Sequence, residues 1–519
     1  MPSLLRWGPD TEQTAALIGL GCVLLLAALV RIIGITDNPP GFFTDEASIG
    51  YNAYTVLKHG VDEHGESWPV LFEAFGEFKL PVYIYGTIPF VATLGLTEFA
   101  VRLASAAFGI ATIITVFLLA GAAFQHRAVA LAAAFFLAIM PWHIHYSRTG
   151  FGELISFVPF VTLSLYLFIR GIRDDSRLLV LAGAAFGVTL YTYRAAWVVL
   201  PLLLILIVVL YWRELMDKRT HALSGAAVLA VISIPILLHL LSDSGDRSQD
   251  AGILKLGLGT GETINLFIKQ YLSHFSLSFL FFEGDEHFIT RHYLPGYGHL
   301  HLVQLPLVVF GLVGVARHPT REKMLVVAVL LFYPLGGALS TDSPVSSRSI
   351  LGTAAMAILS GYGLVVVARW AANIDQNYAR VATAGTVGLI VVLACYGFGD
   401  YIGKYREYPN VSADYWGWQD GPQEIIEYFE SVEADYDQLI MTGEFNAPHM
   451  FFWFYAPEGC NKCQIGEADR FDSSQRQLFA LKPHQIAQIN PSYDISTKHT
   501  VAYPDGSIAF RLVEIAASG

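Results

Sequence analysis

Two adjacent carboxylates, Asp45 and Glu46, stand about ten residues beyond the first membrane-length apolar segment. Carboxylates at a membrane surface are costly unless water, a cation or a substrate faces them. One of the pair could act as a general base toward a hydroxyl, with its neighbour holding a cation or fixing its orientation. The same run also suits a solvated helix start, with Thr44 as N-cap and both acids in the first turn. A second group is cationic. Lys79, Arg102, Arg148, Arg194 and Arg348 each sit where an outer loop meets an apolar segment. Guanidinium groups gathered at one face suit an anionic lipid head group such as a phosphate. Taken singly, each also fits an arginine snorkelling at a helix end. A third group is the stretch from Glu283 to Tyr293, which carries Asp285, Glu286, His287, Arg291 and His292. It could bind a divalent metal or activate a hydroxyl. Its spacing matches no metal motif, and a solvated loop with incidental histidines is the simpler reading.

The elements that must position these groups follow from composition. The chain has 519 residues, 54% of them hydrophobic and 15% charged, with a mean hydropathy of +0.48. That is a polytopic membrane protein rather than a soluble enzyme. The net charge of -12 lies mostly in the first loop and the C-terminal region, and no nucleic-acid partner is expected. Apolar segments at 14–35, 100–124, 128–140, 154–169, 178–191, 195–211, 222–241, 300–315, 324–339, 350–367 and 381–398 predict about eleven transmembrane helices, with a range of 11–13. The first reads as an uncleaved signal anchor. Segment 80–94, with Pro81, Gly86 and Pro89, is expected not to cross.

Arg127, Arg170, Arg173, Arg177, Arg213, Lys218, Arg219, Arg317, Arg321, Lys323, Arg369 and Arg380 fall in alternate loops, which the positive-inside rule makes cytoplasmic. The first loop (about 36–99), the large second loop (about 242–299) and the C-terminal region are then extracytoplasmic, in a plasma-membrane protein. From Asp400 the composition changes. A helix start at 421–429, a strand at 437–442 and a hairpin around Pro504-Asp-Gly506 predict a small α/β domain. The expected fold is thus an all-α polytopic membrane bundle, residues 1–399, followed by an extracytoplasmic α/β domain, residues 400–519. Tyr415-Trp-Gly-Trp418 could stack on a sugar or form part of an interfacial aromatic belt. Cys460 and Cys463 have no second pair to complete a zinc site, leaving a disulfide or two free thiols.

Four runs resemble the GT-C superfamily of polyprenyl-phosphate-sugar-dependent glycosyltransferases, in the branch of protein O-mannosyltransferases and the lipid A aminoarabinose transferase. Phe43-Thr-Asp-Glu-Ala-Ser-Ile-Gly-Tyr51 resembles the first-loop Asp-Glu motif. Glu77-Phe-Lys-Leu-Pro-Val-Tyr83 resembles a Lys-Pro-Pro-Leu element, with Leu80 for one proline. Thr97-Glu-Phe-Ala-Val-Arg-Leu-Ala-Ser105 resembles an Arg-Leu-Pro-Ser helix start, with Ala104 for proline. Pro141-Trp-His-Ile-His-Tyr-Ser-Arg148 with Glu153 resembles a Ser-Arg…Asp element. The likeness covers roughly residues 14–370.

The resemblance implies inverting transfer of a sugar from a polyprenyl-phosphate donor to an extracytoplasmic protein, lipid or glycan. Asp45 would be the base and Glu46 its support, and Lys79, Arg102 and Arg148 would hold the donor phosphate. Arg194, Glu153, His287, Arg291, His292 and Arg348 complete the expected substrate-binding set. Ser346-Ser-Arg348 departs from the usual His-aliphatic-Arg motif. No organic cofactor is implied, and metal dependence varies within the superfamily, which leaves room for a divalent cation. An oligosaccharide transferase or glycan polymerase of the same superfamily is the alternative enzyme. A lipid-linked-sugar transporter or flippase is the alternative class, although it would predict inverted repeats and midplane charges.

Overall fold

Each of the eleven apolar segments forms a helix, as backbone in a lipid environment must satisfy its polar groups internally. The computed structural model describes residues 9–242, 252–285, 289–373 and 378–517. In chain order the first half comprises α1 (Pro9–Ile32), α2 (Thr44–His59), β1 (Phe72–Ala74), β2 (Glu77–Lys79), α3 (Pro81–Leu94), α4 (Glu98–Phe124), α5 (Arg127–Ile139), α6 (Pro141–Ser147), α7 (Gly152–Arg173), α8 (Leu178–Thr189), α9 (Ala196–Asp217) and α10 (Arg219–Ser242). There follow α11 (Thr260–Ser273), α12 (Gln304–Arg317), α13 (Arg321–Phe332), the short α14 (Leu335–Ala338), α15 (Gly352–Ala372) and α16 (Ala379–Arg406). Among the described residues seven helices are long and apolar enough to span a bilayer alone, namely α1, α4, α7, α9, α10, α15 and α16. The pair α5 and α6, bent by 62°, makes an eighth. Helices α8, α12 and α13 have only 12, 14 and 12 residues. They pack against longer helices: α8 against α7 and α10, and α12 and α13 against α15.

The break between α5 and α6 has a local cause. Pro141 has no N–H, so the carbonyl of Leu137 loses its helical donor. The Trp142 N–H is diverted to the carbonyl of His299 at 3.2 Å, which frees Ala138 as well. Arg31, fully buried in α1, donates to the Ala138 carbonyl at 3.0 Å and reaches the Leu137 carbonyl at 3.5 Å. His301 Nε2 bonds the Ile139 carbonyl at 2.8 Å. Arg31 also meets His143 Nδ1 at 2.8 Å and Ser147 Oγ at 3.2 Å, so one side chain fixes the whole of α6.

Helix α3 does not cross. Its first end is tied to the start of α7, where the Leu80 N–H donates to Glu153 at 2.9 Å. Three residues separate its far end from α4, where Glu98 accepts a hydrogen bond from Tyr455 of the C-terminal region. Both ends therefore lie at one end of the bundle. The ion pair between Arg321 and Glu214, 2.6 Å, joins the start of α13 to the last turn of α9 at the other.

Beyond α16 come α17 (Pro409–Ser412), α18 (Pro422–Val432), β3 (Gln438–Met441), α19 (His449–Tyr455), β4 (Cys463–Ile465), β5 (Gln477–Leu481), α20 (Pro483–Ile486), β6 (Tyr493–Ala502) and β7 (Ile508–Ala517). The five strands run in the order β4-β3-β5-β7-β6. β3 pairs in parallel with β4 and β5, and β7 pairs antiparallel with β5 and β6. The hairpin turns at Tyr503 to Gly506, whose N–H returns to the Tyr503 carbonyl at 2.8 Å. Cys460 and Cys463 form a disulfide.

This region has one core of its own, around Ile440, Phe479, Leu481, Val513 and Ile515, and shares a second with the first loop. Ala47, Ile49 and Ala53 of α2 and Val101 of α4 share one buried cluster with Phe429, Leu439, Phe451, Phe454 and Leu478. Gly50 makes the contact close: a Cβ there would meet the Phe454 ring at 2.5 Å and Val101 at 2.7 Å. Phe42 packs on Phe454 with ring centroids 4.7 Å apart. Trp418 is fully buried and donates Nε1–H to Tyr408 Oη at 2.9 Å, so it is closed to a sugar, whereas Tyr415 and Trp416 stay exposed.

Candidate active site

The start of α2 is held by Glu46 rather than by a side-chain N-cap. Glu46 is fully buried. Its carboxylate accepts the Phe43 N–H at 3.0 Å and the Gly150 N–H. It also forms a two-pronged pair with Arg102, Nε to Oε1 and Nη2 to Oε2, both 3.0 Å. Gly150 is needed for this approach, since a Cβ there would lie 2.8 Å from Glu46 Cγ. Arg102, also fully buried, spends its remaining donors on the carbonyls of Ile35 (3.1 Å), Pro39 (2.8 Å) and Gly41 (2.7 Å). Glu46 and Arg102 are thus a lock on the first loop, with no donor or acceptor turned to a substrate. Glu46 was expected to support Asp45 and Arg102 to hold the donor phosphate; in the structure the hydrogen bonds of both are spent on the first loop.

Arg148, also expected at the donor phosphate, is spent in the same way. The end of α1 leaves carbonyls without helical partners. Arg148 takes those of Val30, Ile33 (3.0 Å) and Gly34 (2.7 Å), and that of Asn38 at 2.8 and 3.0 Å. Its guanidinium has nothing left for a ligand.

Asp45, one residue before Glu46, faces the other way. It lines a cleft of about 680 Å³ together with Lys79, Glu153, Arg194, His292 and Arg348. Lys79 Nζ lies 2.9 Å from Asp45 Oδ1 and 3.3 Å from the Asp45 backbone oxygen. The side chain of Lys79 is 7% exposed and that of Asp45 30%, so the acid has the more open side. The tight β1–β2 turn delivers Lys79, whose Nζ also stands 4.9 Å from the Phe75 ring. Glu153 receives the Leu80 N–H and thereby fixes the end of β2 against α7. Arg194 donates to the Phe78 carbonyl at 2.7 Å. Lys255, from the second large loop, joins the cleft wall with Leu254 and Tyr193. Sequence reasoning missed Lys255, whose only signal was a cation in an outer loop.

Arg348 is presented by a turn that Asp285 holds. Buried Asp285 accepts the Ser346 N–H at 2.9 and 3.1 Å and the Ser346 hydroxyl at 2.7 Å. His299 Nε2 sits 3.0 Å from the same carboxylate. The Ser346 hydroxyl also meets Tyr146 Oη at 2.8 Å. The serine that stands where the family pattern has histidine is therefore a latch facing away from the cleft. An imidazole is nevertheless present there. His292, beside Ser347 and Arg348, is pushed down to about 3 by burial and then by the charge of Arg291, so it is neutral, and its Nδ1 has no partner among the described residues. Arg291 is turned instead to the Phe43 ring, 4.2 Å from its centroid, and to the Trp416 carbonyl at 3.1 Å. It does not line the cleft. His287 lies outside the described residues.

Among the described residues no three His, Cys, Asp or Glu side chains cluster as ligands. The carboxylates on the cleft wall are Asp45 and Glu153, and the ammonium of Lys79 already sits on Asp45. The cleft carries four cations, Lys79, Arg194, Lys255 and Arg348, beside the half-buried carboxylates of Asp45 and Glu153.

Residues 80–239 match the dolichyl-phosphate-mannose-protein mannosyltransferase family. No curated protein matches the sequence. Among solved structures, ArnT from Cupriavidus metallidurans bound to undecaprenyl phosphate superposes with a TM-score of 0.56 at 14% identity, covering 98% of both chains. Its apo form gives 0.57, also at 14% identity, covering 98% of this chain and 99% of that one. The apo oligosaccharyltransferase of Archaeoglobus fulgidus gives 0.55 at 14% identity, over 85% of this chain and 64% of that one. The chain carries the GT-C fold. It is an integral, multi-pass membrane protein in which the GT-C bundle and the C-terminal sheet superpose together on a relative of the same length.

Proposed function

We propose that this GT-C protein is an inverting glycosyltransferase that moves a sugar from a polyprenyl-phosphate donor to an extracytoplasmic hydroxyl. The observation that carries the reading is the meeting of a half-exposed carboxylate, Asp45, with four cations in a single cleft. Asp45 takes the proton of the acceptor hydroxyl. The acceptor oxygen bonds to the anomeric carbon as the bond from that carbon to the phosphate oxygen breaks, and the electron pair leaves on the phosphate. Arg194, Arg348 and Lys255 stabilise that growing charge, the kind of fixed electrostatic help that favours a transition state. Lys79 holds the Asp45 carboxylate in position and has one further N–H donor for the phosphate. His292 offers a neutral nitrogen to the sugar or to the phosphate. The anomeric carbon passes through an oxocarbenium-like state, and attack from the face opposite the phosphate inverts it.

The cleft end of the bundle is the extracytoplasmic one in this proposal. Two features support it: the basic residues gather at the opposite end, and the disulfide of Cys460 and Cys463 belongs in an oxidising compartment. Residues 400–519 act with residues 1–399 as one body, since their shared core seats α2 and hence Asp45.

The test is turnover by purified enzyme on a panel of polyprenyl-phosphate-linked sugars, read as release of polyprenyl phosphate. Asp45→Asn should lose about 10²- to 10⁴-fold in turnover with an unchanged melting temperature. Near-normal turnover by this variant would remove Asp45 from the reaction. Consumption of lipid-linked oligosaccharides alone would favour the oligosaccharide-transferring relatives, and movement of intact donor across the bilayer would favour a transporter.

A further inference from the structure

Helix α11, in the second large loop, turns an apolar side outward. Ile264, Ile268 and Leu272 follow one another at intervals of four and so share one face. They are 54%, 49% and 58% exposed. Glu262, Asn265 and Lys269 make an exposed polar flank beside that face. The remaining side is packed. Gln270 is buried there, and its carbonyl accepts the Nδ1–H of buried His274 at 2.8 Å. His274 in turn lies against Gly337 of α14, where a Cβ would stand 2.3 Å from Nε2. A helix resting on a protein in water has a polar outer side. An outer side that is half apolar and half polar is the pattern of a helix lying in a membrane interface.

The position of α11 in the bundle decides what meets the apolar face. The Tyr271 hydroxyl donates to the Leu331 carbonyl at 2.7 Å, one residue before the end of α13. Helix α13 starts at Arg321, whose pair with Glu214 lies at the end of the bundle away from the active-site cleft. From Arg321 to Leu331 it rises roughly 15 Å at 1.5 Å per residue, about half of a ~30 Å hydrocarbon core. The last turn of α11 is therefore at lipid depth. Leu331 is itself 48% exposed, so the apolar face of α11 continues the apolar outer wall of the bundle. With 14 residues α11 is too short to cross.

We propose that α11 dips into the leaflet on the active-site side, with Ile264, Ile268 and Leu272 on acyl chains and Glu262, Asn265 and Lys269 toward the head groups. Leu272, next to the tie at Tyr271, lies deepest. The turn Ile253–Lys255 leads into α11 and is joined to the bundle by the Ile253 N–H, which donates to the Leu339 carbonyl at 3.0 Å. Its Leu254 and Lys255 line the active-site cleft. The bilayer thus holds the loop that supplies one wall of the cleft.

The experiment uses the full chain with Cys22→Ser and Cys395→Ser, which leaves the disulfide in place. Ile264→Cys, Ile268→Cys, Leu272→Cys and Glu262→Cys are each spin-labelled and reconstituted in phosphatidylcholine–phosphatidylglycerol nanodiscs. Accessibility is read with oxygen, which concentrates in acyl chains, and with a water-soluble nickel chelate. The oxygen-to-nickel ratio should be several-fold higher at the three apolar positions than at Glu262→Cys, and should rise from residue 264 to residue 272. All four side chains are exposed, and any two of the apolar positions suffice if one variant does not fold. Nickel access at the apolar positions equal to that at residue 262 would put the face in water and overturn the proposal. Exclusion of both probes would also overturn it, by showing the face covered by protein, a second copy of the chain included. A ratio that falls from 264 to 272 would overturn the dip. The measurement needs no substrate, so its outcome is independent of the proposed reaction.

Discussion

Arg102 and Arg148 on one side, and Arg194 and Arg348 on the other, occupy equivalent places in the sequence, each a lone arginine where an outer loop meets a helix. Their fates differ. Arg102 and Arg148 are 0% and 4% exposed and end on backbone carbonyls between Val30 and Gly41, or on Glu46. Arg194 and Arg348 line the cleft. The difference lies in what stands nearby. Helix α1 ends with unpaired carbonyls and runs into a loop containing Pro39 and Pro40, which has few backbone donors to offer them. Two guanidinium groups supply the missing donors. Arg194 donates to the Phe78 carbonyl and Arg348 to Ser340 Oγ, and both nevertheless line the cleft. An arginine at a membrane boundary is thus recruited by unsatisfied backbone where such carbonyls lie beside it.

The comparison can be broken most sharply at Arg102. Arg102→Met should leave the buried Glu46 carboxylate without its cation and cost about 3–5 kcal/mol of stability. A large fall in melting temperature and in folded yield is expected. A well-folded Arg102→Met enzyme that is defective only in donor binding would place Arg102 with the cleft cations after all.

Arg348→Gln should behave in the opposite manner. Its melting temperature should stay near that of the wild type, while affinity for a polyprenyl-phosphate ligand falls about ten-fold, as expected for one charge-assisted contact. Isothermal titration with polyprenyl phosphate reads the difference. Unchanged affinity would leave Arg348 as another structural arginine.

The smallest effect concerns Asp420, which lies against the loop that Arg102 holds. Burial raises its carboxyl from the ordinary 3.8 to about 6, only partly offset by the Gly421 N–H and by Arg102. The folded state then binds the proton more tightly than the unfolded one. Its contribution is full below 3.8 and is lost as pH rises to about 6, so stability falls across that window. Asp420→Asn should flatten this part of the melting curve against pH. A slope that persists in the variant would assign it to another group.

Much of the architecture was legible in the sequence. Apolar length alone located the helices, because a backbone in hydrocarbon has few alternatives to one. The Pro-Asp-Gly turn located the hairpin, because its residues fix local dihedrals. Asp45 and Lys79 stood out because charge beside an apolar segment is costly and therefore informative. What the sequence could not decide were relations between distant residues. Arg148 meets carbonyls more than 100 positions away, and Arg31, inside an apolar segment, repairs a helix break at Pro141. The first loop and the C-terminal sheet, hundreds of residues apart, share one core through Gly50 and Phe454. Lys255 reaches the cleft only because the second large loop folds over it. Local chemistry is set by residue type. Whether a charged group becomes a lock or a ligand contact is set by which backbone groups the tertiary fold leaves unsatisfied beside it.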